Sequence, residues 1–209
     1  VMAEVSSIFK IRGRIGNTIF VGRNGKCYAR AVATKVTNPN TPKQQMVRAR
    51  FRVALRFYQR LKDTPLGEIW RLSGKRAKLT GYTLFMRENL NMFDHEGRIV
   101  DFDGLRLAVG NRCDARDIEA SLDDSGQVTL RWGDDDEDLY LGENDRLMVA
   151  LLYGDRLFSP EVVDDLKAVR RDGTVTFRLL RSKDVEVHLY CFFVSPGGEY
   201  VSDSQHLKV

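Results

Sequence analysis

The sequence predicts an α+β fold in two parts: a basic hairpin-and-helix module over 1–95, then an acidic antiparallel β-sandwich over 96–209. Three observations carry this. An Asn24-Gly25 pair separates two β-prone runs, and that pair favours the positive φ angles of a tight hairpin turn. Segments between Pro42 and Phe93 place apolar residues at helical spacing. From about Arg98 the period becomes two, in about seven short runs separated by turn residues, as in a sandwich.

In chain order, Ser6 to Val32 reads as β, with Thr18–Val21 and Lys26–Val32 flanking Arg23-Asn24-Gly25. Gly13 and Gly16 punctuate the segment before it. Their spacing is that of a nucleic-acid-clamping Gly-x-x-Gly loop, but that loop joins two helices. A strand follows here, so tight-turn glycines are the better reading. Thr41 is placed as an N-cap, Pro42 as the first helical residue and Gln44 as the capping-box partner. The helix then runs to about Lys62, with Met46, Val47, Phe51, Ala54, Leu55, Tyr58 and Leu61 as its apolar stripe. Leu66 to Leu72 reads as a second helix anchored by Trp70 and broken at Ser73-Gly74. Leu79 to Phe93 reads as a third.

The strands expected next are Leu105–Val109, Ile118–Leu122, Gln127–Trp132, Arg146–Tyr153, Thr174–Leu179, Val185–Val194 and Tyr200–Val209. In Gln127–Trp132 the inward residues are Val128, Leu130 and Trp132. Arg146–Tyr153 is nearly all apolar, as a central strand buried on both faces would be.

The net charge of +4 conceals a division. Residues 1–90 hold 19 Lys/Arg and 4 Asp/Glu, a net of +15, while 91–209 hold 14 and 25, a net of −11. Such a split fits an anion-binding N-terminal half. It equally fits two halves that attract each other, within one chain or head-to-tail between copies. No run of 18 apolar residues is present, so no membrane span is expected. No secretory signal is read at the start either. Three scattered cysteines form neither a disulfide framework nor a metal pattern and fit a reducing setting, the cytoplasm or an assembled particle.

Arg48, Arg52, Arg56 and Arg60 recur every fourth residue, a spacing at which like charges destabilise an isolated helix. Something negative is therefore expected beside the ladder: nucleic acid, a partner protein, or this chain's own acidic half. Arg12, Arg14, Arg23, Lys26 and Arg30 on the hairpin extend the candidate anion- or partner-binding set, as do Lys10, Lys75, Arg76 and Lys78. Tyr28 and Phe20 offer stacking faces. The acidic run Asp134–Asp138 has Leu139 where a calcium loop requires glycine, so it reads as a solvated turn. His95, His188 and His206 read as isolated. His188 and Cys191 lie on opposite strand faces, which argues against a Cys–His pair. No catalytic residue, metal ligand or cofactor motif is identified.

Gly13-x-x-Gly16-Asn17, Arg23-Asn-Gly-Lys-x-Tyr28-x-Arg30, Asn38-Pro-x-Thr41-x-x-Gln44 and Arg48-x-x-Phe51 occur in a characteristic order. Asp145-x-x-Met148-Val149, Ala168-x-Arg170-x-Asp172-Gly173 and His188-x-Tyr190-x-Phe192-Phe193-x-Ser195, leading to Val201-Ser202-x-Ser204, complete the pattern. Together they resemble an uncharacterised bacterial domain-of-unknown-function family, DUF6266, over nearly the whole chain. The last block also resembles the closing strands of a fibronectin type III or immunoglobulin-like sandwich. The resemblance implies a non-enzymatic structural or interaction protein, with no catalytic residues to carry over. The expected role is a structural or assembly module, self-associating through its opposite charges, in a phage-like or surface assembly. The alternative is sequence-independent nucleic-acid binding through the arginine ladder.

Overall fold

The computed structural model describes residues 2–5, 11–23, 25–33, 38–133, 142–179 and 185–209. The chain divides into two compact units, Val1–Thr41 and Pro42–Val209. The boundary expected after residue 95 does not coincide with this division, because the helices share a core with strands that come after them.

The first unit is an antiparallel sheet in the order β1-β4-β3-β2. Its strands are β1 (Met2–Val5), β2 (Gly13–Ile15), β3 (Thr18–Arg23) and β4 (Lys26–Ala31). Arg23 pairs with Lys26, which leaves a two-residue turn, and Gly25 takes the positive φ of 79°. Ile15 pairs with Thr18 across Gly16 at φ 57°, so the Gly13–Gly16 spacing serves a tight turn between strands. None of this unit's side chains whose burial is described is buried.

The second unit begins with three helices: α1 (Pro42–Leu61), α2 (Leu66–Arg76) and α3 (Gly81–Asn89). Ser73-Gly74 does not break α2, which continues through it. A Cβ on Gly74 would stand 2.6 Å from the Gly81 nitrogen, and one on Gly81 would stand 2.8 Å from the Trp70 carbonyl oxygen. These glycines let the two helices meet backbone to backbone, a demand that sequence periodicity does not show. Thr80 caps α3 by accepting from the Thr83 N–H, and a 3-10 turn over Leu90–Met92 replaces the expected last helical turn.

Seven strands follow in two sheets, one ordered β5-β6-β9 and the other β11-β10-β7-β8. They are β5 (Arg116–Leu122), β6 (Gln127–Gly133), β7 (Arg146–Tyr153), β8 (Glu161–Val162), β9 (Thr174–Arg178), β10 (Val187–Val194) and β11 (Gln205–Lys208). Every pairing is antiparallel, giving an immunoglobulin- or fibronectin-like sandwich within an α+β chain.

All eight residues of β10 are buried, because both of its faces are covered. Leu189, Cys191 and Phe193 join Val128, Leu130 and Trp132 of the opposing sheet. On the other side, Tyr190, Phe192 and Val194 join the helical residues Phe57, Trp70, Leu84 and Phe85. The second unit is thus layered helix on sheet on sheet. Phe85 anchors the helical layer, with ring centroids 6.0 Å from Phe57, 5.2 Å from Trp70 and 5.2 Å from Tyr58.

Leu105–Val109 is not a strand, although Leu105, Leu107 and Ala108 are buried. Side chains take the place of a ladder. The Arg106 N–H donates to Asn89 Oδ1 (2.7 Å), Asn89 Nδ2 donates to the Arg106 carbonyl (3.0 Å), the Leu107 N–H donates to Ser204 Oγ (2.9 Å), and Trp70 Nε1 donates to the Leu107 carbonyl (2.9 Å). The last strand is also shorter than expected, since Val201 and Ser202 make only isolated bridges before β11.

Asn89 is fully buried and satisfies both backbone groups of Arg106. Asn89→Ala is expected to destabilise by about 1–3 kcal/mol, because it leaves the part-buried N–H and carbonyl of Arg106 without partners. Chemical denaturation checks this; a loss under about 0.5 kcal/mol would show that the clamp contributes nothing.

Candidate functional site

The arginine ladder lies on α1, a helix with no acidic residue anywhere along it. Arg48, Arg52, Arg56 and Arg60 are all exposed. Among the described residues, no carboxylate is within ion-pair distance of Arg52, Arg56 or Arg60. Arg56 and Arg60, with Lys62 and Gln59, line a cleft of about 770 Å³ against Val53 and Phe158.

The expected apolar stripe is only half covered. Val53, Ala54, Phe57 and Leu61 are buried, but Met46, Val47 and Phe51, nearer the N-terminal end, remain 45%, 55% and 42% exposed. The helix therefore presents arginines on one flank and uncovered apolar side chains on the face that its C-terminal half buries.

The other predicted basic residues belong to the first unit. Arg12, Arg14 and Arg30 are exposed there, and Arg14 Nε donates to the Gly16 carbonyl (2.9 Å). Arg23 ends β3. Lys26 is paired with Glu4 at 3.1 Å, which raises the lysine's pKa. Tyr28 and Phe20 are half-buried. Arg76 lies over the Tyr200 ring at 4.1 Å. Lys10, Asn24 and Asp134–Asp138 lie outside the described residues.

One constellation escaped sequence reasoning. His188 and His206 are not isolated: His188 Nδ1 lies 2.8 Å from His206 Nε2. His206 Nδ1 lies 2.5 Å from Asp103 Oδ1, and His188 Nε2 lies 3.0 Å from Glu186 Oε1. Lys208 Nζ binds the other Glu186 oxygen at 2.8 Å. The register sets Tyr190 opposite His206 and His188 opposite Lys208, so all four share the helix-side face. Phe102 stacks flat on His188, with centroids 3.8 Å apart, and its carbonyl accepts from the Tyr190 hydroxyl (2.9 Å). A signal was present in the sequence, since His188, Tyr190, His206 and Lys208 alternate on adjacent strands. Asp103 carries none, being 103 positions from its partner.

Burial lowers the pKa of His188, helped by the neighbouring His206, against the pull of Glu186. Lys208 holds Glu186 below its ordinary range. Cys191 faces the opposite cluster, where burial pushes its thiol up to about 12. No helix among the described residues is long and apolar enough to cross a membrane.

The profile of a family described as "Family of unknown function (DUF6266)" matches residues 10–208. No curated protein sequence matches. Among solved structures, a fibronectin type III domain of human contactin 1 is similar at 8% identity, covering 48% of this chain and 77% of that one, with a TM-score of 0.33.

The depressed His188 fixes a sign. Unfolded, the imidazole takes a proton below about pH 6.5; folded, it resists. The stability it contributes is therefore complete above that pH and is lost on acidification. The limiting slope is about 1.4 kcal/mol per pH unit. In denaturant titrations between pH 7.5 and 5, His188→Gln is expected to flatten this limb relative to the natural chain. Parallel profiles would contradict a neutral buried His188.

Proposed function

We propose, from the premise that this chain belongs to the DUF6266 family of unknown function, that it is a non-enzymatic assembly module whose α1 surface receives the acidic part of a second copy. The observation that carries the reading is the composition of that surface. Arg52, Arg56 and Arg60 make no ion pair among the described residues and share α1 with uncovered Met46, Val47 and Phe51. Methionine, arginine and aromatic residues are the types enriched at the centres of protein interfaces, where lysine, aspartate and glutamate are depleted. A surface built only for phosphate contacts has no use for an exposed methionine and valine.

Two further features support it. The net charges of +15 over 1–90 and −11 over 91–209 make two copies complementary head-to-tail. The first unit buries none of its described side chains and leaves Ile15 63% exposed, so its sheet gains little from burial that offsets chain entropy. Packing against a partner supplies what such a sheet lacks.

The test is size-exclusion chromatography with light scattering, read at 260 and 280 nm in low and high salt. The natural chain is expected to form a discrete oligomer that high salt dissociates. Replacing Arg52, Arg56 and Arg60 with Gln, or Met46 and Phe51 with Ser, is expected to weaken association about 10–100-fold. A monomer under all conditions, or an oligomer indifferent to both sets of changes, sinks the proposal. Nucleic acid that co-elutes at low salt and is stripped at high salt would instead favour polyanion binding by the ladder.

A further inference from the structure

We infer that Asp103, His206, His188 and Glu186 form a proton-operated latch, which closes the 101–104 connector onto strands β10 and β11 when the chain of four groups holds one added proton. The inference rests on proton counting. All four ring nitrogens are engaged, His188 with His206 and Glu186, His206 with His188 and Asp103. Turning either ring over would forfeit contacts, so the ring orientations are fixed by their partners.

Three links join two carboxylates and two imidazoles, and each link requires one proton. Two neutral imidazoles bring two. With both carboxylates ionised, one link must set lone pair against lone pair. A third proton removes the conflict, and geometry places it on His206. Charged His206 donates from Nδ1 to Asp103 and from Nε2 to His188 Nδ1. His188 stays neutral and donates from Nε2 to Glu186. Every link is then satisfied, and the more buried ring, 4% exposed against 9%, is the one left uncharged.

The charges around the pair agree. The titratable and charged groups that face it are Asp101, Asp103 and Arg106 from the connector side, Glu186 just before β10, Tyr190 on β10 and Lys208 on β11. Within the linked set, His206 and Lys208 as cations balance Asp103 and Glu186. Loss of the His206 proton leaves one uncompensated negative charge.

Opening costs least at Asp103. Its side chain is 91% exposed, so its carboxylate rehydrates on leaving, whereas the His188–His206 link is enclosed by Phe102 and Tyr190. When His206 loses its Nδ1 proton, the one it retains stays on Nε2, where it satisfies His188. Its Nδ1 lone pair then faces the Asp103 carboxylate and repels it. The connector is what Asp103 holds down: Phe102 stacks on His188, and Gly104 N–H donates to Asp101 within the same turn. Immediately beyond it, Leu105 and Leu107 enter the helix-side core.

Two measurements on the full chain test this between pH 8.5 and 5. Long-range nitrogen–proton NMR reads the charge and tautomer of each imidazole, with exposed His95 as an internal reference. Amide hydrogen exchange reads the connector. The expected result is one proton taken up by the pair, on His206, with His188 neutral and protonated at Nε2. Exchange at residues 101–104, divided by the intrinsic rate at each pH, should slow about tenfold in the same pH range. Asp103→Asn, a change at an exposed side chain, should leave the connector exchanging fast throughout. Independent charging of both rings, no uptake above pH 5, or connector exchange indifferent to pH in the natural chain would each overturn the latch.

Discussion

The structure depends on the burial of one strand pair from both sides. β7 and β10 run antiparallel over eight register positions, and their alternate residues feed two separate cores. One core is the interior of the sandwich. The other lies on the face that an isolated sandwich would leave to solvent, and here it is closed by α1, α2, α3 and, just beyond the 101–104 connector, Leu105 and Leu107. The helices are thus a third layer and not a module beside the sandwich. Trp70 shows the coupling: its ring packs on Phe85, and its indole N–H donates to the Leu107 carbonyl just beyond the connector.

Much of this was legible in the residues. β7 is nearly all apolar and β6 alternates, and the two patterns correspond to strands covered on two faces and on one. The helix from Pro42 was readable because proline, the cap residue and the apolar spacing agree. Failures occurred where a distant partner overrode a local signal. Gly74 looks like a stop, but it is a helix contact point whose reason is Gly81. Leu105–Val109 looks like a strand, yet Asn89 and Ser204 occupy its hydrogen-bonding groups. The histidine chain draws on residues 103, 186, 188 and 206, which only the β10–β11 register and the connector bring together.

α1 illustrates the limit of pattern reading. Its apolar stripe is continuous in sequence, but the core covers only the C-terminal half. Periodicity reports which face is apolar and says nothing of where the covering layer stops. The same holds for the ladder. Spacing announced repulsion among the arginines, whereas only the structure shows that, among the described residues, no carboxylate pairs with Arg52, Arg56 or Arg60.

The layered core also has a consequence in time. The ribosome makes α1 and α2 more than a hundred residues, and α3 nearly a hundred, before Val187–Val194, the strand that completes the sheet on which their apolar faces close. Until β10 emerges, Phe57, Trp70 and Phe85 lack the strand that completes their covering sheet. Folding must wait for contacts of long sequence separation, which form slowly. During synthesis the nascent helices are therefore substrates for chaperones, and truncation before β10 leaves a sticky helical fragment in place of a smaller stable domain.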